Sequence, residues 1–319
     1  MLQVQTYAME FKNRYFHSLP LAAGKTAFNA LCKAAVTATL LLACCFSSAV
    51  LAESSVWKVD NGKNEIFIAG TLHVLKSEDF PLPEQFHTAF KQSDDVFFEV
   101  DMTRFGSSEV QQKLAQLVTW KDGRDLSDVL SPKVLEELKT QLGVYGIPVE
   151  MLLPYKAGPA AMTLAMLEMQ KLGMSEIGVE EHFAKLAVGE DREIFGLETV
   201  EQQADFLVNM GGATPDEIIS YTIQDLVGLD QQLDEMRDAW RNGNLEQLET
   251  TVLQEMREKY DGIYQELIVD RNNAWLPKIE ALLEDPDIEL VMVGAGHLAG
   301  PDSVLKLLEA AGYNIQQLD

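Results

Sequence analysis

Cysteine is nearly missing from this 319-residue chain: the three present, Cys32, Cys44 and Cys45, all fall in the first 45 residues. Everything after them can form no disulfide, offer no thiol nucleophile and build no thiolate metal site. Positive charge is the second shortage, with 25 Lys and Arg against 50 Asp and Glu and a net charge of −25. Such an acidic surface repels a phosphate backbone, which excludes nucleic acid as a partner. The chain also lacks a Gly-x-Ser-x-Gly elbow, a His-Glu-x-x-His helix and a phosphate-binding loop. Gly294, Gly296 and Gly300 imitate a dinucleotide fingerprint, but the last glycine is one place late and only 19 residues follow it, too few for a nucleotide-binding half-domain. There is no tandem repeat and no low-complexity tract. With 47% hydrophobic residues the chain has ample material for a globular core.

The first fifty-odd residues read as an address. Lys12, Arg14, Lys25 and Lys33 precede an uncharged, small-residue apolar run from Ala34 to Ala52, the pattern of a secretory signal. Val50-Leu51-Ala52 places cleavage after Ala52, so residues 1–52 are expected as signal peptide and 53–319 as the mature domain. Two alternatives are a retained anchor, since the run approaches the ~20 residues of a spanning helix, and lipidation at Cys44, where Leu41-Leu42-Ala43-Cys44 resembles a lipobox. Under the signal reading no stable membrane anchor survives cleavage, and the protein is secreted, into a periplasm. The mature chain then carries 21 basic and 49 acidic residues, a net charge of −28.

Two stretches carry the strongest pattern. Ile66 to Val74 reads IFIAGTLHV, a β-type run that stops at Gly70 and delivers His73 three residues later; Leu290 to Leu298 reads LVMVGAGHL and delivers His297 three residues after Gly294. Around the first, Asn61-Gly62 predicts a tight hairpin between strands at 56–60 and 65–70. A short helix over 83–93 with Phe86 and Phe90 at helical spacing then leads to a strand at 95–101, a βαβ unit whose strands run parallel. Residues 193–198 predict a further strand, and the chain closes with a strand at 288–294, a helix over 301–311 capped by Gly312, and a strand at 313–318. Between these, roughly 103–285 is helical, with breaks expected near Gly211-Gly212, Gly243 and Pro277. The expected fold is therefore α/β, with a mixed, largely parallel sheet built from both chain ends and a large helical middle covering its site.

Parallel strands present their C-terminal ends on one edge, where open α/β sheets place ligands. At those ends stand His73, Glu99 with Asp101, Glu198 and His297. Two imidazoles and one or two carboxylates suit a divalent ion such as Zn, Mn or Co with room for water, and a metal-bound water beside a free glutamate is a hydrolytic apparatus. Glu99 and Asp101 share alternation parity, and either could instead cap the helix that follows. Glu180 and Glu181 read first as helix N-terminal charges, while His17, His87 and His182 read as leader or structural residues. Arg271, a rare cation in an acidic helical region, either forms a surface ion pair or binds a substrate carboxylate or oxyanion.

The motifs Gly70-Thr71-Leu72-His73, Phe97-Phe98-Glu99-Val100-Asp101, Gly178-Val179-Glu180-Glu181-His182-Phe183, Gly196-Leu197-Glu198-Thr199, Arg271-Asn272-Asn273-Ala274-Trp275 and Gly294-Ala295-Gly296-His297 together resemble the TraB/GumN family. That family includes the animal TIKI metalloproteases and bacterial pheromone-shutdown proteins, and the likeness runs from about Val56 to the C-terminus. The resemblance implies a fold similar to erythromycin esterase, two Gly-x-x-His motifs at the core of the active site, an essential glutamate and an arginine, and Mn- or Co-dependent peptide hydrolysis in the TIKI branch. Carried over by position, His73 and His297 are the motif histidines, Glu99 the glutamate and Arg271 the arginine. The expectation is a secreted metal-dependent hydrolase acting on a peptide or small molecule, with His73, His297 and Glu99 on the ion and Arg271, Glu180 and Glu198 on the substrate. Two other readings remain: metal-free ester or amide hydrolysis with a histidine base oriented by Glu99, and a non-catalytic protein that sequesters a peptide signal or a metal.

Overall fold

A computed structural model describes residues 54–174, 177–209 and 213–319. The signal peptide, its cleavage point and the break at Gly211-Gly212 lie outside the described residues. Among those residues, no helix is long and apolar enough to cross a membrane.

The sheet has six strands: β1 (Val56–Asp60), β2 (Glu65–Thr71), β3 (Asp95–Val100), β4 (Ile194–Glu198), β5 (Glu289–Gly294) and β6 (Asn314–Gln317). Their spatial order is β4-β3-β5-β2-β1-β6. The first four in that order run parallel, and β1 and β6 close the sheet with antiparallel pairings. β2 and β3 are parallel, as the βαβ pattern predicts, but they are not neighbours, because β5 lies between them. The β1–β2 hairpin forms at Asn61-Gly62, where Gly62 has φ 81° and the Asn61 side chain accepts from the N–H groups of Lys63 and Asn64.

Central strands are apolar on both faces, so alternate residues enter different cores. Phe67, Ala69, Leu290, Met292, Val96 and Phe98 face one core, which is closed by helices α1 (Glu84–Gln92), α5 (Val179–Gly189) and α8 (Leu229–Arg241). Ile66, Ile68, Val291 and Val293 face the other, closed by α9 (Arg271–Leu282) and α10 (Val304–Ala311). A third core belongs to the helical middle and packs α3 (Pro132–Val144), α4 (Ala157–Lys171) and α7 (Pro215–Asp225) together, while α2 (Ser108–Val118) and α6 (Val200–Asn209) meet in a smaller cluster of Val110, Val200 and Val100. The architecture is thus an α/β sandwich with a large helical portion, as the sequence pattern predicts.

Pro277 departs from expectation, because α9 runs straight through it. Its missing N–H removes one backbone bond, while Trp275 and Ile279 on the buried face stay anchored in the sheet core and hold the helix on course. Gly243 does mark an end, since α8 stops at Arg241.

The segment between β2 and α1, which contains His73, is pinned by charge. Arg237 on α8 donates to both oxygens of buried Asp79, to Glu78 and to Asp234, and Arg241 donates to the carbonyls of Asp79 and Pro81. One turn on from Arg237, the indole N–H of Trp240 donates to the Gly70 carbonyl at 2.7 Å, tying α8 to the end of β2. Replacing Arg237 by Met leaves the Asp79 carboxylate buried without its partner, at an expected cost of about 3–5 kcal/mol. Urea unfolding measures it: the midpoint falls with an unchanged slope, and the double change Asp79→Leu with Arg237→Met recovers part of the loss, whereas a single-variant loss below about 1 kcal/mol would show the pair to be dispensable.

Candidate functional site

Four strand ends converge. β2 leads into His73, β3 carries Glu99, β4 ends at Glu198 and β5 turns at Gly294 toward His297. The parity ambiguity at the end of β3 resolves cleanly: Asp101 caps the following 3-10 turn by accepting from Thr103, and Glu99 turns into the site. A side-chain carbon placed at Gly294 would lie 3.1 Å from Glu99 Oε1, 3.6 Å from the His297 ring and 4.0 Å from His73 Nε2. The three groups therefore surround the one position on β5 that has no side chain to obstruct them.

Arg271 reaches the same place from the first turn of α9, directly after the wide π-type turns of Gln265–Asp270. Its Nη2 donates to Glu99 Oε2 and to Glu198 Oε1, both at 2.6 Å, and its Nε donates to Glu198 Oε2 at 3.2 Å. Its Nη1 lies 3.1 Å from His297 Nε2, and the guanidinium sits over the Trp275 ring. Burial opposes the charge on Arg271, and the two carboxylates more than offset it. Burial likewise works against ionised Glu99, but Arg271, His73 and the Gly294 N–H bonded to its Oε1 outweigh that and hold the carboxyl well below the usual carboxylate range. Glu198 is pushed up by burial and by Glu99, with the Arg271 bonds opposing.

His297 is fixed by a residue that the sequence pattern does not mark. The buried Asn272 amide donates to the carbonyls of Asp302 and His297, which turns its Oδ1 toward His297 Nδ1 at 2.7 Å. Nδ1 must then carry the proton, and Nε2 presents its lone pair to Arg271. Burial pushes the His297 ring down to about 3, so it is neutral across the working pH range.

His73 is arranged differently. Its Nδ1 is 2.8 Å from Glu180 Oε1, and Thr71 Oγ1 donates to the same oxygen. Glu180 is where a helix N-terminal charge belongs, in the first turn of α5, and it reaches His73 because Gly178 lets α5 abut the chain. A Cβ on Gly178 would stand 2.2 Å from the His73 carbonyl oxygen and 2.7 Å from that of Leu72, while Val179 N–H donates to the Leu72 carbonyl. The Glu180 carboxylate pushes His73 up to about 9 against the opposing effect of burial. The His73 side chain is nevertheless 70% exposed, so water screens part of that attraction. The cavity, about 480 Å3, has apolar walls from Phe98, Val100, Met102, Met162, Phe206 and Leu267 and a polar end of His73, Glu99, Glu180, Glu181, Gln203 and Arg271.

All six expected residues, His73, Glu99, Glu180, Glu198, Arg271 and His297, thus meet at one edge of the sheet. Asn272, Thr71 and Gln203 join them, the last through a 3.3 Å bond to Glu99 Oε2; Asn272 and Thr71 lie inside the short motifs, but only tertiary placement gives them roles. In this arrangement the donors do not fit a divalent ion. His297 Nε2 and Glu99 Oε2 are already taken by a guanidinium, and among the described residues no three His, Cys, Asp or Glu side chains are set to hold a metal.

Residues 55–317 match the sequence profile of the TraB/PrgY/gumN family. No curated protein and no solved structure matches the chain. A match over most of its length, with the family-like motifs gathered at one sheet edge, establishes that the chain belongs to the TraB/PrgY/gumN family.

Proposed function

We propose that this protein is a secreted hydrolase of amide or ester bonds that works through a His73–Glu180 pair without a metal ion. The observation that carries this reading is the contrast between the two histidines. His297 has both ring nitrogens engaged and is buried, whereas His73 is held at Nδ1 by a carboxylate and its exposed ring lines a substrate-sized cavity. That is the geometry of a general base oriented by a third group. The carboxylate that orients it is Glu180, where the metal-free reading of the sequence assigned Glu99.

The chemistry balances without further groups. His73 Nε2 takes a proton from a water in the cavity as the water oxygen adds to the substrate carbonyl carbon. The tetrahedral adduct then breaks its bond to the amine or alcohol, which leaves with the proton returned from Nε2. Arg271 spends four of its five N–H donors on Glu99, Glu198 and His297. The remaining Nη1–H is the donor offered to the oxyanion, held rigidly by the other four. A peptide or a small amide or ester fits the cavity, and the leader pattern supports export. A metal-dependent peptidase of the TIKI type is the second reading, favoured by the approach of His73, Glu99 and His297 around Gly294.

Chelation separates the two readings. With a peptide library and a panel of aryl esters as substrates, activity is expected to survive chelator unchanged; loss on chelation with recovery on adding Mn, Co or Zn would replace the metal-free reading. His73→Ala is expected to lower kcat/KM by about 10²–10⁴-fold. The pH profile supplies the finer test. Because Glu180 raises the His73 pKa, the base form accumulates only above neutrality, so kcat/KM climbs with pH through a limb near 9. Glu180→Gln removes the raising charge and moves that limb toward the ordinary imidazole value of about 6.5, with a lower plateau. A limb that stays in place in Glu180→Gln would assign the titration to another group.

A further inference from the structure

Arg271 fills the place that a cation would need. Its guanidinium contacts the His297 Nε2 lone pair, Glu99 Oε2 and both oxygens of Glu198, donor types that Zn, Mn or Co take elsewhere and that the guanidinium here claims for itself. Asn272 already holds His297 in the tautomer that an Nε2 ligand requires, and second-shell support of this kind is common behind metal-bound histidines. Glu99 and Glu198 are buried, and carboxylates in such surroundings need a positive partner.

We propose that Arg271 is a built-in counter-cation that bars divalent metal from the strand ends, and that the site takes one ion when the guanidinium is removed. The exclusion is a competition, because both cations need the same lone pairs. This inference stands apart from the hydrolytic reading, since its test measures binding and not turnover.

Isothermal titration of the wild-type protein and of Arg271→Met with ZnCl2 and, separately, MnCl2 provides that test. Arg271→Met is expected to bind one ion per chain at least about tenfold more tightly than wild type, and Glu99→Gln in that background to abolish the gain. Removing the arginine leaves two buried carboxylates facing each other, so folding is checked by circular dichroism. The charge-balanced pair Arg271→Met with Glu198→Gln serves if the single variant does not fold. It keeps Glu99 and His297 and is expected to retain the tighter binding. Wild-type affinity equal to that of the variant, no binding by the folded Arg271 variant, or binding indifferent to Glu99→Gln would each overturn the proposal; the last would mark the ion as a ligand of the acidic surface.

Discussion

Everything at the working edge of this sheet depends on one buried guanidinium. A parallel sheet gathers the C-terminal ends of its strands, and here two of those ends, on β3 and β4, carry carboxylates. Two such charges taken out of water side by side would repel each other and lose their hydration. Arg271 reconciles them, and by also donating to His297 it joins β3, β4 and the turn after β5 to helix α9. The arginine is consequently a structural keystone before it is anything chemical, and the aromatic face of Trp275 beneath it completes its enclosure.

That arrangement divides two histidines that look equivalent in sequence. His297 lies under Trp275 and between Asn272 and Arg271, where burial keeps it neutral and its nitrogens are committed. His73 sits beyond the end of β2, gains a carboxylate from α5 and has its ring exposed at the cavity. Identical Gly-x-x-His spacing therefore yields one buried ring with both nitrogens engaged and one ring that lines a cavity. The difference comes entirely from what packs against each.

Much of the framework was legible in the residues. Apolar runs bounded by Asn61-Gly62, Gly70 and Gly294 locate strands because a strand buried on both faces must be apolar throughout, and Gly312 ends α10 with φ 97° as a helix-stop glycine should. The clustering of His73, Glu99, Glu198 and His297 follows from parallel pairing alone. What the sequence conceals is set by long-range packing. The insertion of β5 between β2 and β3 is a choice among pairings that periodicity does not rank. The reach of Glu180 to a histidine 107 positions earlier depends on the close approach at Gly178, and Pro277 passes unnoticed inside α9 because tertiary contacts outweigh one lost hydrogen bond.

The strand order also sets when this site can come into being. β5 is a central strand of the sheet yet nearly the last part of the chain, so β2 and β3 have no neighbour in common until almost the entire polypeptide exists. Until then the carboxylate of Glu99 lacks the Gly294 N–H, and His73 faces no completed wall. An emerging or truncated chain thus lacks the assembled site, which is completed only by the closing step of assembly.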